Sequence, residues 1–318
     1  MNIFNSIIGF FRLIRVLNLF FIFLTQLLFY YFIIVPQYAI LSSSHPRLND
    51  YNFFMLALAS IFIAAAGYII NDYFDINIDR VNKPQRLVLD NVISRRWAMF
   101  FHLLFSLIGL ALTALVSKNL NNWVLFSLNL TSVIVLWFYS TIFKRKLLVG
   151  NVIISLLSAW VVMVLYLCEM QLDFNGALVQ FNQAILKIYQ LAVVYAGFAF
   201  IVSLVREIIK DMEDIEGDRK YFCKTMPIVW GIVPTKLFVS VWMVVLAAIL
   251  FFLMGYAFLK GYFMMSGYVL FFLVFPLIGM LLLLNKASQS RDFKKLSSRI
   301  KLFMLLGILS MIVYYYHI

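Results

Sequence analysis

The 318-residue chain predicts an all-α integral membrane protein: nine transmembrane helices, arranged as two parallel four-helix modules plus a ninth helix. Three observations predict it. The composition is 64% hydrophobic and 13% charged, with a mean hydropathy of +0.96, whereas a soluble domain is about 45–50% apolar and about 25% charged. Nine stretches reach the roughly 20 apolar residues that a membrane helix needs. An acidic pattern after the second stretch returns after the sixth, four helices on, as expected of an internal repeat.

The elements follow in order. "NIFNSIIGFFRLIR" spaces its apolar residues at helical intervals and is expected to lie along the membrane interface. Arg12 and Arg15 lead straight into a full-length span over 14–36, so the N-terminus reads as a first helix and not as a cleaved leader. Span 2 covers 51–70 and runs into "NDYFDINIDR". Span 3, 97–117, carries His102, which stands alone and reads as a hydrogen-bonded packing residue. Span 4, 122–142, ends at the topology anchor "KRK". Span 5, 148–168, is followed by Glu169 and Asp173, read as ordinary loop acids. Span 6, 189–209, precedes "KDMEDIEGDR". Spans 7 and 8 cover 235–258 and 263–284, and the basic loop "SQSRDFKKLSSRIK", expected to meet anionic lipid, separates them from span 9 at 299–317. The whole chain, 1–318, is expected to be one polytopic membrane domain with cap loops at about 71–96 and 210–234.

With nine spans, all but four of the 26 Lys and Arg fall on the side that carries the N-terminus and the loops after spans 2, 4, 6 and 8; the exceptions are Arg47, Lys118, Lys187 and Lys260. By the positive-inside rule that side is cytoplasmic, which places the chain in the cell membrane with its C-terminus external. The net charge of +12 is therefore explained by topology, and no nucleic-acid partner is expected. Cys168 and Cys223 fall at opposite faces and cannot pair, so neither a disulfide nor a cysteine metal site is assigned.

Asp72, Asp75 and Asp79 are spaced by three and four residues and converge on one helical face. Asp211, Asp214 and Asp218 repeat that spacing, with Glu207 one turn earlier on the same face. Both segments read D-x-x-D-I-x-x-D-R, offset by 139 residues from Asp72 to Asp211, and agree at five of nine positions. All but Asp50, Glu169, Asp173 and Asp292 of the 14 acidic residues lie in 71–96 and 206–220. Two carboxylates 6 Å apart repel by about 3 kcal/mol at an effective dielectric near 20, so a cation is needed at a lipid boundary. Oxygen-only ligands suit Mg²⁺, which keeps some waters and is completed by substrate phosphates. Lys83, Arg86, Arg206 and Lys210 are candidate cations for such a phosphate; each is also a plausible snorkelling positive-inside residue.

At this point "NDYFDINIDR" resembles the N-D-x-x-D-x-x-x-D motif of the UbiA-type intramembrane prenyltransferases, and "DMEDIEGD" resembles their second motif, D-x-x-D-x-x-x-D. The resemblance implies that the helices surround a central apolar cavity, with two Mg²⁺ ions bridging a prenyl diphosphate donor and prenyl transfer to an acceptor. Matched by position, Asn71, Asp72, Asp75 and Asp79 form the first motif, and Asp211, Asp214 and Asp218 the second. "RVLN" points to Arg15 and Asn18, and "YSTIFKRKLLVGN" to Tyr139, Lys144 and Asn151. After the first motif this chain reads "NKPQRLVLDNVIS", keeping Asn82, Pro84 and Arg86 and lacking the second Pro and the Ser-Gly of many members. "REIIKDMEDIEGDRKYFCKTMPI" looks most like the branch that prenylates geranylgeranylglyceryl phosphate to make ether lipids; aromatic acceptors of quinone biosynthesis are the alternative. A cation-coupled transporter is the rival of another class, but its site would sit near the bilayer midplane on broken helices and not at helix ends.

Overall fold

The computed structural model describes residues 3–41, 45–82, 84–170 and 183–317; Asp173 lies outside them. Helix α1 spans Ile3–Leu13. It is followed by α2 (Val16–Leu41), α3 (Asp50–Asn82), α4 (Arg95–Asn119), α5 (Trp123–Thr141), α6 (Val149–Glu169) and α7 (Gln183–Glu213). The short α8 (Ile215–Lys220) and a turn of helix at Met226–Val229 lead to α9 (Ile232–Leu259), α10 (Phe263–Lys286) and α11 (Ser290–Tyr315). Among the described residues nine helices, α2–α7 and α9–α11, are long and apolar enough to cross a membrane. No named strand occurs among them; a single β-bridge, Leu89 to Ile93, closes the turn after α3.

Two helices outrun the bilayer. At 1.5 Å per residue, the 33 residues of α3 and the 31 of α7 extend about 50 and about 46 Å, against a hydrocarbon core of about 30 Å. The excess carries the whole first motif and the start of the second: 71–82 and 210–213, expected in cap loops, continue α3 and α7 without a break, while Asp214 falls at the break before α8 and Asp218 lies within α8. Hydropathy marks where a chain leaves lipid, not where its helix stops. Inside α2 and α10 the backbone widens into π-turns at Tyr30–Ile34 and Val269–Val274, just before Pro36 and Pro276. Proline removes an N–H and crowds the preceding turn, and a wider turn accommodates both without breaking the span.

A second boundary differs more. The stretch expected as a basic loop before span 9 is the first part of α11, which begins at Ser290 under a capping box of Gln289 and Asp292. Phe293, Leu296, Ile300 and Phe303 are buried at helical spacing, while Arg291, Lys294, Lys295 and Arg299 stay exposed on the other face. The charged face dilutes the average hydropathy and hides an amphipathic helix.

At the end of the bundle away from the motifs, Glu169 is fully buried, which corrects its reading as a loop acid. Its carboxylate accepts hydrogen bonds from Tyr38 Oη at 2.9 Å and from the backbone N–H groups of Arg47 at 3.0 Å and Leu48 at 3.1 Å. The Arg47 guanidinium donates to the carbonyls of Met170 and Leu120, both at 2.6 Å. One carboxylate and one guanidinium thus tie the 45–50 turn to the ends of α4 and α6. His102 packs as expected: its Nδ1 lies 3.0 Å from the Ala66 carbonyl, beside the Trp137 ring. Cys168 and Cys223 are free and buried.

Candidate active site

The extended ends of α3 and α7 open on one cavity of about 1140 Å³ lined by all six aspartates, Asp72, Asp75, Asp79, Asp211, Asp214 and Asp218. Asn18, Asn71, Tyr139, Lys144, Asn151, Arg206 and Lys210 line it as well. Trp160, Tyr195, Phe198 and Met304 give it an apolar and aromatic interior. Lys83 lies outside the described residues, as does the side chain of Arg86, whose backbone completes the turn Pro84–Arg86 after α3.

Asp75 is almost fully buried and forms an ion pair with the Lys144 ammonium. Asn71 Nδ2 donates to Asp75 Oδ2 at 2.8 Å, and Lys144 Nζ also donates to Asn71 Oδ1 at 3.3 Å. Lys144 reaches this position because the turn Phe143–Arg145 folds back on the start of α6. Gly150 makes the fold-back possible: a Cβ there would lie 2.9 Å from Lys144 Cα and 3.0 Å from the Phe143 carbonyl. Burial works against the Lys144 charge, but the carboxylate of Asp75 outweighs it and raises the ammonium pKa above its ordinary value. "KRK" is therefore more than an anchor.

Arg15 occupies the break between α1 and α2 in the left-handed region, at φ 52°. Its Nη2 lies 2.6 Å from Asp72 Oδ1, and its guanidinium sits 5.0 Å from the centre of the Tyr68 ring. Here too burial opposes the charge and Asp72 prevails, so the guanidinium pKa is raised. On α7, Asp211 Oδ2 accepts from Asn151 Nδ2 at 2.8 Å. Glu207 accepts from Arg206 Nη1 at 3.0 Å and from Lys210 Nζ at 3.0 and 3.1 Å. Asn82 joins the two motif segments: its Nδ2 donates to the Asp214 carbonyl at 3.0 Å, and its Oδ1 accepts from Gly217 N at 2.7 Å.

Among the described residues no three acidic, His or Cys side chains form a ready metal cage. The donor set nevertheless fits Mg²⁺, which rarely uses an all-protein cage and relies on carboxylate oxygens, waters and substrate phosphates. The aspartates supply oxygen alone, and two of them, Asp72 and Asp75, already bind cationic side chains. A buried Asp75 and a half-buried Asp72 paired this way are sites that demand positive charge.

Lys301 escaped the sequence reading. Its Nζ donates to Asn18 Oδ1 at 2.6 Å, and it lines the cavity with Met304, Ile308 and Met311, all at helical spacing on α11. Lys301 already falls within the span expected at 299–317, and a helical wheel through that span places it at the head of the stripe.

A polytopic helical bundle that brings two acidic segments to one cation-edged cavity with an apolar interior defines the class of site. The chain belongs to the UbiA prenyltransferase family, whose model matches residues 15–309. It is similar to digeranylgeranylglyceryl phosphate synthase of Methanospirillum hungatei, with 31% identity over 180 residues, 57% of this chain and 58% of that one. The corresponding protein of Thermococcus gammatolerans is 37% identical over 167 residues, 52% of each chain. The chain thus spans little more than half the length of these curated relatives. Its fold is similar to a solved digeranylgeranylglyceryl phosphate synthase structure, with a TM-score of 0.61 at 23% identity over 98% of this chain and 99% of that one. A UbiA homologue from Archaeoglobus fulgidus bound to GPP and Mg²⁺ gives a TM-score of 0.58 at 18% identity over 95% and 99%.

Proposed function

We propose that the protein is a Mg²⁺-dependent prenyltransferase that moves a prenyl group from a prenyl diphosphate to a membrane-associated acceptor, geranylgeranylglyceryl phosphate. The observation that carries this reading is the convergence of both aspartate sets and their cationic neighbours on one cavity with an apolar interior. The names of the curated relatives support the acceptor, and the ligands of the Archaeoglobus fulgidus homologue support the donor and the metal.

In this reading Asp72, Asp75, Asp79, Asp211, Asp214 and Asp218 hold Mg²⁺, which the resemblance puts at two ions. Bound Mg²⁺ supplies Lewis-acid stabilisation of charge on the leaving diphosphate. Lys144, on the Asp75 side, is positioned to share that charge by hydrogen bonding and attraction, as oriented cations do in a low-dielectric site. Asn71 and Asn151 orient Asp75 and Asp211. The donor's apolar chain runs into the interior beside Trp160 and Phe198, where the aromatic walls exclude water from the developing allylic cation. The aspartate end of the bundle faces the cytoplasm by the distribution of Lys and Arg.

The test is a transfer assay on purified protein with Mg²⁺ and radiolabelled geranylgeranyl diphosphate. The acceptors offered are geranylgeranylglyceryl phosphate, 4-hydroxybenzoate, dihydroxynaphthoate and homogentisate. EDTA-sensitive labelling of the glyceryl phosphate alone is expected. Labelling of an aromatic acceptor would reassign the branch, and transfer that survives EDTA would remove the metal.

A further inference from the structure

The two flanks of the cavity differ in charge. On the α5–α6 flank, Lys144 and Asn151 engage Asp75 and Asp211. On the α2–α11 flank, Arg15 just before α2, Arg206 and Lys210 on α7, which packs against α11, and Lys301 on α11 line the wall, with the exposed Arg12 at the rim. Among the described residues, the ion pairs of these four cations reach two carboxylates only, Asp72 and Glu207. Lys301 is within electrostatic reach of Arg15, Arg206 and Lys210, yet its hydrogen-bond partner is the neutral amide oxygen of Asn18. Arg206 Nε is buried and makes no hydrogen bond among the described residues. Four like charges around two ion-paired acids, with Lys210 also within electrostatic reach of Asp211, and an orphaned guanidinium donor leave this flank positive and complementary to a small anion. A phosphate monoester carries about −1.5 to −2 at neutral pH. Below Lys301, Met304, Ile308 and Met311 continue the cavity wall along α11, so the ligand's phosphate leads into an apolar track.

We infer that the α2–α11 flank is a separate phosphate subsite that holds the head group of a phosphorylated lipid acceptor, with Lys301 as its recognising cation. This rests on the transferase reading for the word acceptor, and on the charge and contacts of the flank for the phosphate. The donor diphosphate is left to the aspartates and Lys144. The two anions are kept apart by what binds them: one needs metal, the other needs only side-chain cations.

The experiment measures equilibrium binding of geranylgeranylglyceryl phosphate and of its dephosphorylated alcohol in EDTA, to the wild-type protein, Lys301→Gln and Lys301→Arg. Geranylgeranyl diphosphate binding in Mg²⁺ is measured alongside. Expected are metal-independent binding of the phosphorylated lipid, about tenfold or more weaker in Lys301→Gln and largely kept in Lys301→Arg. The alcohol should bind weakly to all three, and donor binding should be unchanged. Equal affinities of wild type and Lys301→Gln, a requirement for Mg²⁺, or a parallel loss of donor binding would overturn the inference. Should Lys301→Gln fail to fold, competition on the wild type decides. Inorganic phosphate at high concentration should displace the phosphorylated lipid and leave the donor bound, and displacement of both or of neither contradicts the subsite. Absence of transfer in the separate assay would remove the transferase reading without altering this binding result.

Discussion

Asn82, the last residue of α3, clasps Gly217 in α8: its Oδ1 accepts the Gly217 N–H at 2.7 Å, while its Nδ2 reaches the Asp214 carbonyl. This clasp sets the first aspartate segment against the second. It also explains a glycine inside the second motif, since a Cβ at Gly217 would lie 2.5 Å from Asn82 Nδ2. Gly217→Ala is expected to push Asn82 aside, lower stability by about 1–3 kcal/mol and reduce transfer. Thermal unfolding in detergent and initial rates check both, and Asn82→Ser in the same chain should recover part of the loss.

Lys144→Met is expected to lower transfer by about 100-fold or more, because it removes a cation aimed at developing charge. The pH dependence has a definite sign. The folded pKa of Lys144 is raised above its ordinary value of 10.5, so the stability it contributes is fully present below that value and is lost as pH rises through the folded pKa. The difference in melting temperature between wild type and Lys144→Met should therefore stay constant from about pH 6 to about pH 9 and shrink only in stronger base. A difference that changes across neutrality would contradict the pairing with Asp75.

Glu169→Ala is expected to destabilise the protein by about 3–5 kcal/mol, since it leaves the buried donors of Tyr38, Arg47 and Leu48 without their acceptor. The KM for the donor in the surviving folded fraction should not change. A melting temperature equal to that of wild type would return Glu169 to the status of an ordinary surface acid.

Cys223 is buried at the edge of the motif region, and burial pushes its thiol pKa up to about 11. The thiol form therefore dominates below that pH, and maleimide should label the native protein slowly at pH 7.5, with full labelling of Cys223 and Cys168 after denaturation. Rapid native labelling at Cys223 would show that the 221–225 turn is more open than the structure has it.

What could be read from the sequence was local. The six aspartates were legible because spacings of three and four put them on one helical face, and the repeat at a fixed offset removed chance as an explanation. Lys144 and Asn151 needed the family resemblance, since nothing in "KRK" or in a lone Asn reveals that Gly150 lets the turn fold back on the start of α6. Glu169 was misread because its partners Tyr38, Arg47 and Leu48 lie more than 120 residues away in the chain. Lys301 was passed over because a hydropathy average saw a basic loop where an amphipathic helix carries one lysine inward. The same averaging ended α3 and α7 at the membrane surface, although their helices continue through the residues that matter most.

In the proposed function the two aspartate sets bind one diphosphate together, in a metal-dependent way. Binding of radiolabelled geranylgeranyl diphosphate to wild type, Asp75→Ala and Asp214→Ala, with Mg²⁺ and with EDTA, tests it most directly. Mg²⁺-dependent binding to the wild type is expected, abolished by EDTA and by either substitution in protein that remains folded in detergent. Binding that persists in EDTA, or that survives loss of an aspartate from either segment, would contradict it.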